Sequence, residues 1–261
     1  MELAFDGETA LVTAASSGLG KASAASLARE GADVVICSRS EEKLEAAAVE
    51  IRADAAGEVV PVVADITDPD DVAAVVETTV ESFGGLDHVV TSAGGPPSGP
   101  FDDTPERAWY EAYDLLVMSV VWTVRAARPH LVESDTGTVT CITSKSVKEP
   151  VDGLVLSNAV RRGVVGLVKT LSREWAPDVR VNTVLPGTHE TPRVTELVEQ
   201  GVERGEYSTY DEGISDWADT IPMGGLGDPS AFGDVVAFVA SERASFVNGA
   251  SIPVDGGETR S

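Results

Sequence analysis

A turn of small residues between an apolar strand and a helix is the segment of this chain that most clearly indicates a chemical function. Residues 9–13 form a short apolar segment that contains β-branched residues. The turn Ala14-Ala15-Ser16-Ser17-Gly18-Leu19-Gly20 follows it. Gly18 lets the backbone approach a pyrophosphate closely, and Gly20 lets the next helix pack against the sheet. The helix N-terminus then offers unpaired N–H groups and a positive dipole. The turn predicts a phosphate site, although two glycines alone are also compatible with an ordinary tight turn.

The end of the second apolar strand bears on which dinucleotide such a site takes. An acid about 20 residues past the glycine turn normally binds the ribose 2′-hydroxyl of NAD. Ser38 holds this position, and Arg39 and Ser40 follow it. An arginine beside serines can receive a 2′-phosphate through charge-assisted hydrogen bonds. The pattern favours NADP(H) over NAD(H). The alternative is a solvated Arg39, with Glu41 or Glu42 serving the ribose.

Alternating strands and helices must position these residues. Nearly continuous apolar strands indicate a parallel sheet that helices cover on both faces. We therefore predict one doubly wound (Rossmann) α/β domain over residues 1–261, with a seven-stranded parallel sheet. The predicted strands are 9–13, 33–37, 59–63, 87–91, 138–142, 179–184 and 250–254. The predicted helices are 21–30, 41–53, 68–83, 106–131, 154–175 and 229–240.

The stretch 188–222 departs from this alternation. It is long, charged, interrupted by glycines and lacks a strand, and it contains Tyr207, Tyr210 and Trp217. Loops of this length in compact domains are often lids or binding loops. We predict a substrate lid, the alternative being an ordinary surface loop.

Composition excludes several kinds of partner. The chain has 43 acidic against 19 basic residues, a net charge of −24, and only five of the bases are lysine. Nucleic acid and anionic membranes are therefore poor partners, and a small-molecule substrate is expected. No apolar run reaches the roughly 20 residues that span a bilayer, and no basic leader is visible, so a cytoplasmic protein is expected. Cys37 and Cys141 predict buried thiols rather than a disulfide, and no metal site is predicted.

The acidic residues are scattered rather than gathered in a tail, for example at Glu41, Glu42 and Asp68. An acidic, lysine-poor surface suits a protein that works in concentrated salt, where screening suppresses self-repulsion. We therefore hypothesise a halophilic source.

Short motifs along the chain coincide with those of one known family. They are Thr13 to Gly20, with Ala14 replacing the family's first glycine; Asp65-Ile66; Thr91-Ser92-Ala93-Gly94, with two asparagines lost; Pro186-Gly187-Thr188-His189-Glu190-Thr191; and Pro253-Val254-Asp255-Gly256-Gly257. With these motifs the chain resembles a short-chain dehydrogenase/reductase over essentially its whole length. The resemblance implies a nicotinamide dinucleotide and a homodimer or homotetramer. The expected cofactor residues are Thr13, Ser16, Ser17, Gly18, Leu19, Gly20, Ser38, Arg39, Asp65, Ile66, Ala93, Gly94, Arg161, Pro186, Gly187, Thr188 and Thr191.

The resemblance also implies a catalytic serine, tyrosine, lysine and asparagine, and three of these four residue types are missing. Ser144 follows the fifth strand, Ser157 stands thirteen residues later in place of the tyrosine, Arg161 replaces the lysine, and Leu116 replaces the asparagine. An aliphatic hydroxyl is a far weaker acid than a phenol with a pKa of about 10, and arginine stays protonated. Proton transfer must be reassigned if catalysis is retained. Alternatively, Ser157 and Arg161 form a solvated helix face.

Lys145 and Lys148 are candidates for the missing proton chemistry, since a desolvated lysine titrates nearer neutrality. His189, Tyr207 and Tyr210 are further candidates, and the sequence does not rank the five. Ser144, Ser157, Arg161 and Lys145 are the expected catalytic residues.

Two functions follow from these residues. The first is an NADP(H)-dependent oxidoreductase of small hydroxyl or carbonyl compounds, like a 3-oxoacyl reductase or an alcohol or sugar dehydrogenase, with an altered proton-transfer site. The second is a non-catalytic dinucleotide-binding subunit or sensor, which the loss of the tetrad also motivates. The intact loop from Pro186 to Thr191 and the long lid are features of a closed reaction site and favour the enzyme.

Overall fold

The computed structural model describes residues 3–260, and its strands form one parallel sheet. The strands are β1 (Thr9–Val12), β2 (Asp33–Ser38), β3 (Val59–Val63), β4 (His88–Thr91), β5 (Thr138–Ile142), β6 (Arg180–Pro186) and β7 (Ser251–Val254). Their order in the sheet is β3-β2-β1-β4-β5-β6-β7, with every neighbouring pair parallel. The strand order reverses between β1 and β4, which is where open α/β sheets form their binding crevice. The predicted doubly wound fold is confirmed.

Helices cover both faces of this sheet. They are α1 (Gly18–Arg29), α2 (Glu41–Arg52), α3 (Pro69–Phe83), α4 (Glu106–Tyr113), α5 (Ser119–Leu131), α6 (Val155–Val160), α7 (Arg162–Glu174), α8 (Pro192–Glu203), α9 (Tyr210–Asp219) and α10 (Pro229–Ala240). Within the described residues, none is long and apolar enough to cross a membrane.

Side-chain alternation along β1 divides the core between the two faces. Ala10 and Val12 pack with α1, α2 and α10, whereas Leu11 packs with α3, α5 and α7. Successive side chains of a strand point to opposite faces, so one short strand supports both layers. All three side chains are completely buried. The two cysteines lie in the layer with Leu11, are buried and form no disulfide, as predicted.

Two predicted helices are interrupted. A π-helical turn, Asp114–Met118, separates α4 from α5, and Arg161 separates α6 from α7 as the C-cap of one and the N-cap of the other. A π turn widens the helix, and such turns are frequent near functional sites. Leu116 lies in this turn and is only 2% exposed.

The expectation that residues 188–222 form a long loop is wrong, because the segment contains α8 and α9. Pro192 opens α8, where a missing N–H costs nothing. The Thr209 side chain caps α9 by accepting a hydrogen bond from the Glu212 N–H. Val194 and Val198 are buried one turn apart on α8. Charged residues and glycines hid these short amphipathic helices from the sequence pattern.

Candidate active site

A cleft of 1220 Å³ lies at the carboxyl ends of the strands. Its floor comes from the loops that follow β1, β2, β4, β5 and β6, and α8 and α9 form one wall. Ligands of open α/β sheets bind at this edge. Every residue expected from the sequence to bind cofactor or to act in catalysis lines this cleft, with the exception of Thr13.

Thr13 lies beneath the cleft rather than in its lining. Its hydroxyl donates to the Ser92 carbonyl over 2.7 Å and accepts from the Ser92 N–H over 2.9 Å. These two hydrogen bonds tie the end of β1 to the end of β4. These contacts give Thr13 a role in positioning the binding loops, and its contact with a cofactor stays a prediction.

The N-terminus of α1 suits a phosphate group. Ser17 caps the helix without a side-chain hydrogen bond, and the first turn carries no acidic residue. The terminal N–H groups and the positive end of the dipole are therefore available to an anion. Gly20 is required here because a Cβ would lie 2.7 Å from the Ala14 carbonyl oxygen. Ala14 itself adopts a left-handed φ of 48°, which is unusual for a residue other than glycine.

The ribose end of the same cleft also fits a dinucleotide. The Ser38 hydroxyl is buried and has no hydrogen-bond partner among the described residues. Ser38, Arg39 and Lys43 line the cleft together. A buried hydroxyl without a partner is costly, so a ligand oxygen at this point would relieve it.

Asp65, which follows β3 and also lines the cleft, is held as an anion. Burial alone would raise the pKa of Asp65, but two hydrogen bonds from Thr67 and the positive charge of Arg39 outweigh it and lower the pKa. The loop after β3 thus presents an ordered carboxylate to the cleft.

Arg161 lies in the floor of the cleft and is only 9% exposed. Its Nε donates to Ser157 Oγ, its Nη1 to the Thr143 carbonyl and its Nη2 to the Gly94 carbonyl, each over 3.2 Å. Burial, and then the nearby charge of Arg193, lower the pKa of Arg161 to about 10. Arg161 therefore remains a cation at neutral pH.

Ser157 is 8% exposed, so the alternative of a solvated Ser157–Arg161 face is wrong. Ser157 Oγ also lies 3.4 Å from Ser146 Oγ. The Ser146 N–H in turn donates to Ser144 Oγ over 3.1 Å. Ser146, which the sequence did not single out, thus connects the two expected catalytic serines.

Lys145 forms an ion pair with Glu258, a residue that follows β7 and that sequence analysis missed. Lys145 Nζ also donates to Thr188 Oγ1 over 3.3 Å. The Glu258 carboxylate accepts from the Thr188 N–H over 3.0 Å. Gly187 permits this approach, since a Cβ there would lie 2.7 Å from Glu258 Oε2. Glu258 follows two glycines that adopt positive φ, and this is the signal that a turn brings it back to the cleft.

Lys145 titrates close to neutrality. Burial lowers the pKa of Lys145 to about 8, against the opposing negative charges of Asp255 and Glu149. The contact with Glu258 also favours the ammonium form. A lysine with this pKa can both donate and accept a proton near physiological pH.

His189 and Tyr207 have structural partners. The His189 ring packs edge-on against Phe232 at 5.3 Å, and its Nδ1 lies 3.2 Å from the Gly187 carbonyl. Burial lowers the pKa of His189, so the ring is neutral. The Tyr207 hydroxyl accepts from Trp217 Nε1 over 2.9 Å. These contacts fasten Tyr207 between the two wall helices.

Tyr210 and Lys148 lie outside the lining of the cleft. The Tyr210 hydroxyl is 3.4 Å from Thr195 Oγ1, and Lys148 is exposed. Of the alternatives to Lys145, only His189 and Tyr207 line the cleft, and both have the contacts described above.

Arg193 on α8 is a second residue that sequence analysis missed. Its Nη2 donates to the Pro96 carbonyl over 2.9 Å, and its Nη1 pairs with Glu196 over 2.8 Å. The side chain lies across Gly95, where a Cβ would be 2.5 Å from Arg193 Nε. Its position one residue after Pro192 gave no signal, because only the fold brings α8 to the loop after β4.

Known proteins match the chain over almost its whole length. A family model described as enoyl-(acyl carrier protein) reductase matches residues 13–259. A 2,5-dichloro-2,5-cyclohexadiene-1,4-diol dehydrogenase of Sphingobium indicum is 33% identical and covers 96% of both chains. A 3-oxoacyl-[acyl-carrier-protein] reductase of Thermotoga maritima is 30% identical over 97% of this chain and 98% of that protein.

Solved structures agree with these relatives. L-sorbose reductase from Gluconobacter frateurii, complexed with NADPH and L-sorbose, superposes with a TM-score of 0.94 at 28% identity, over 100% of both chains. An actinorhodin polyketide ketoreductase with NADPH gives a TM-score of 0.92 at 29% identity, over 97% of this chain and 98% of that one. The chain belongs to the short-chain dehydrogenase/reductase family of oxidoreductases.

Proposed function

We propose that this protein is an NADP(H)-dependent oxidoreductase that interconverts a carbonyl and a hydroxyl group on a small substrate. One observation carries the proposal: a helix N-terminus open to phosphate and a partly buried lysine with a pKa of about 8 share one cleft. The dehydrogenase and reductase activities of the relatives support it. A nicotinamide dinucleotide, when bound, supplies or accepts the hydride.

Different residues of the cleft would bind different parts of the cofactor. The turn from Ser16 to Gly20 and the N-terminus of α1 would hold the pyrophosphate. Asp65 and Ile66 would contact the adenine, and Ala93 and Gly94 the middle of the molecule. The loop from Pro186 to Thr191 would hold the nicotinamide. Ser38 and Arg39 would receive a 2′-phosphate.

Lys145 takes the proton-transfer role in this proposal. During carbonyl reduction its ammonium group gives a proton to the oxygen that becomes a hydroxyl, and the amine is reprotonated from solvent. During oxidation the neutral amine accepts the proton of the substrate hydroxyl. Ser144 and Ser157 bind the substrate oxygen. The fixed charge of Arg161 favours negative charge that develops on that oxygen.

Lys145→Met tests the assignment, with Lys148→Met as the matched control outside the cleft. NADPH binding is measured by fluorescence, and turnover by nicotinamide absorbance with a panel of carbonyl compounds and alcohols. General acid–base catalysis contributes roughly 10²–10⁴-fold. We expect a loss of that size in kcat for Lys145→Met with NADPH affinity retained, and no loss for Lys148→Met. Tight NADPH binding without turnover of any compound by the native protein would instead support the non-catalytic subunit or sensor.

The cofactor preference has its own test. Arg39→Gln should weaken NADPH binding by about 10-fold or more, since charge-assisted hydrogen bonds contribute roughly 1.5–3 kcal/mol. NADH binding serves as the internal control and should change little. Ser38→Asp should shift the preference toward NADH by placing an acid at the ribose. Equal affinity of the native protein for NADPH and NADH would contradict the preference.

A further inference from the structure

Two guanidinium groups converge on the short turn from Gly94 to Pro96. Arg161 donates to the carbonyl of Gly94 from the floor of the cleft, and Arg193 donates to the carbonyl of Pro96 from the wall helix α8. Both side chains line the cleft. Gly95, between the two acceptors, has no side chain to separate them. The two positive charges are close enough to interact unfavourably.

Arg161 has no acidic partner among residues 3–260. Its three acceptors are a serine hydroxyl and two backbone carbonyls, all neutral. A guanidinium has five N–H donors, so two remain beyond these three bonds. A buried charge is costly unless it is paired. Arg193 has a carboxylate partner in Glu196, but that side chain is 54% exposed, and pairing at the surface neutralises charge weakly.

The charge of the cleft contrasts with that of the whole molecule. The protein has a net charge of −24, yet more bases than acids line the cleft. The lining bases are Arg39, Lys43, Lys145, Arg161, Arg193 and Arg204, and the lining acids are Asp65, Asp152, Glu206, Asp216 and Glu258. Lys145 and Arg204 are paired with Glu258 and Glu206. Arg161 has only neutral acceptors and Arg193 only an exposed carboxylate, so these two arginines form a positive region beside Ser157. A positive region in a cleft attracts anions.

The cleft also has an apolar part. Leu115, Val194, Leu197 and Trp217 line the same cleft. A ligand that fits both parts of the cleft has an anionic group, which contacts Arg161 and Arg193, and a short hydrocarbon segment, which contacts these apolar side chains.

We propose that the substrate is a short-chain oxo-acid, or the matching hydroxy-acid, whose carboxylate is bound between Arg161 and Arg193. The inference rests on the proposed function, because it places the carboxylate beside the carbonyl that is reduced. The planar guanidinium fork matches a carboxylate through paired hydrogen bonds. The substrate anion supplies the counter-charge that no residue within the described chain gives to Arg161. The 2′-phosphate and pyrophosphate of the cofactor belong to Arg39 and the α1 end of the cleft.

The test compares 2-, 3- and 4-oxopentanoate, each with its own methyl ester, at constant ionic strength. Binding is measured first without cofactor, by calorimetry and by thermal unfolding. We expect at least one acid to bind and to raise the melting temperature, with a Kd about 10-fold or more below that of its ester, as expected for a charge-assisted contact. The ratio of ester KM to acid KM should show the same preference with NADPH present.

Substitutions test whether Arg193 causes the preference for the acid over its ester. Arg193→Gln should reduce the ester-to-acid ratio about 10-fold, and Arg193→Lys should retain part of it because the charge persists without the fork. Gly95→Ala should also reduce it, since the added Cβ displaces the Arg193 guanidinium. Arg107→Gln, at an exposed arginine outside the cleft, is the matched control and should leave the ratio unchanged. Gly95→Ala and Arg193→Lys keep the test decisive if Arg193→Gln folds poorly.

The outcomes separate this inference from the proposed function. If native protein oxidises NADPH with the esters as readily as with the acids, and neither acid nor ester is preferred in cofactor-free binding, the oxidoreductase stands and the anionic substrate is refuted. If NADPH does not bind, the proposed function falls. Binding of oxo-acids without cofactor then still reports on the arginine pair.

Discussion

Arg161 Nε lies 3.2 Å from Ser157 Oγ and donates a hydrogen bond to it across the junction of α6 and α7. Both residues are more than nine-tenths buried. We propose that they occupy the positions of the tyrosine and lysine of related dehydrogenases. In the proposed function this exchange separates two tasks: Arg161 would keep a permanent charge in the floor, while Lys145 would carry the exchangeable proton.

Restoring tyrosine and lysine tests this separation. The double variant Ser157→Tyr, Arg161→Lys should reduce neutral ketones with a kcat/KM about 10-fold or more above the native value, because a phenol beside a cation can titrate toward working pH. Steady-state kinetics with NADPH provide the measurement. Arg161→Lys alone is the control and should give no gain, since it adds a cation but no phenol.

The same double variant should depend less on Lys145. Adding Lys145→Met to it should cost much less than the roughly 10²–10⁴-fold expected in the native background. An equal loss in both backgrounds would show that the introduced tyrosine had not taken over the proton transfer, and that the positions are not equivalent to those of the family.

The pH dependence follows from the lowered pKa of Lys145. Reduction requires the ammonium form, so its rate should fall as pH rises through about 8; oxidation requires the amine, so its rate should rise through the same value. Initial rates in both directions from pH 6 to 10 check this. Lys145→Met should lack both limbs near pH 8, and profiles identical to the native protein would contradict the assignment.

The lowered pKa of Lys145 should also make the free energy of unfolding depend on pH. The ordinary pKa of lysine is 10.5, whereas folded Lys145 releases its proton near 8. Between these values the unfolded chain holds more protons than the folded chain, so this group makes the protein more stable as pH rises from about 8 to 10.5. Urea unfolding of the native protein and Lys145→Met across this interval isolates the contribution.

The local part of the site was predictable and the long-range part was not. Gly18, Gly20, Ser38 and Arg39 lie in short motifs whose spacing alone places them at the ends of adjacent strands, and the structure brings them to one cleft. Glu258 lies 113 residues from Lys145 in the chain. No periodicity links two such positions, because their contact depends on how β5 and β7 are ordered in the sheet.

The lid shows a second limit. Polar and glycine residues concealed α8 and α9, because helices that pack on one face need only a few apolar positions such as Val194 and Val198. Arg193 gained its role from that packing. The hydrogen bond from Thr13 to Ser92 was hidden for a related reason, because only the β1–β4 pairing creates it.

Ala14→Gly should stabilise the protein. Ala14 has a φ of 48°, and a left-handed conformation costs a residue with a Cβ roughly 1–2 kcal/mol. Glycine relieves this but loses roughly 0.4–1 kcal/mol through the more flexible unfolded chain. We expect a net increase of about 0.5–1 kcal/mol in the free energy of unfolding, measured by urea titration. Ala15→Gly is the control. Ala15 is buried and does not have a positive φ, so this substitution should lower the free energy of unfolding. A loss of stability in both variants would show that Ala14 is not strained.

Salt should stabilise this protein strongly. The net charge is −24, and acidic residues such as Glu41, Glu42, Asp68, Asp70 and Asp71 are exposed. Their mutual repulsion acts over the Debye length, which falls from about 10 Å at 0.1 M to about 3 Å at 1 M salt. Exposed ion pairs such as Arg107–Glu111 are also screened, but pairs of this kind contribute little, so relief of repulsion should dominate. We expect the melting temperature to rise steadily between 0.1 and about 2 M KCl. Sucrose at equal osmolality controls for stabilisation that does not depend on charge. A melting temperature that stays flat in KCl, or rises no more than in sucrose, would remove the basis for a halophilic source.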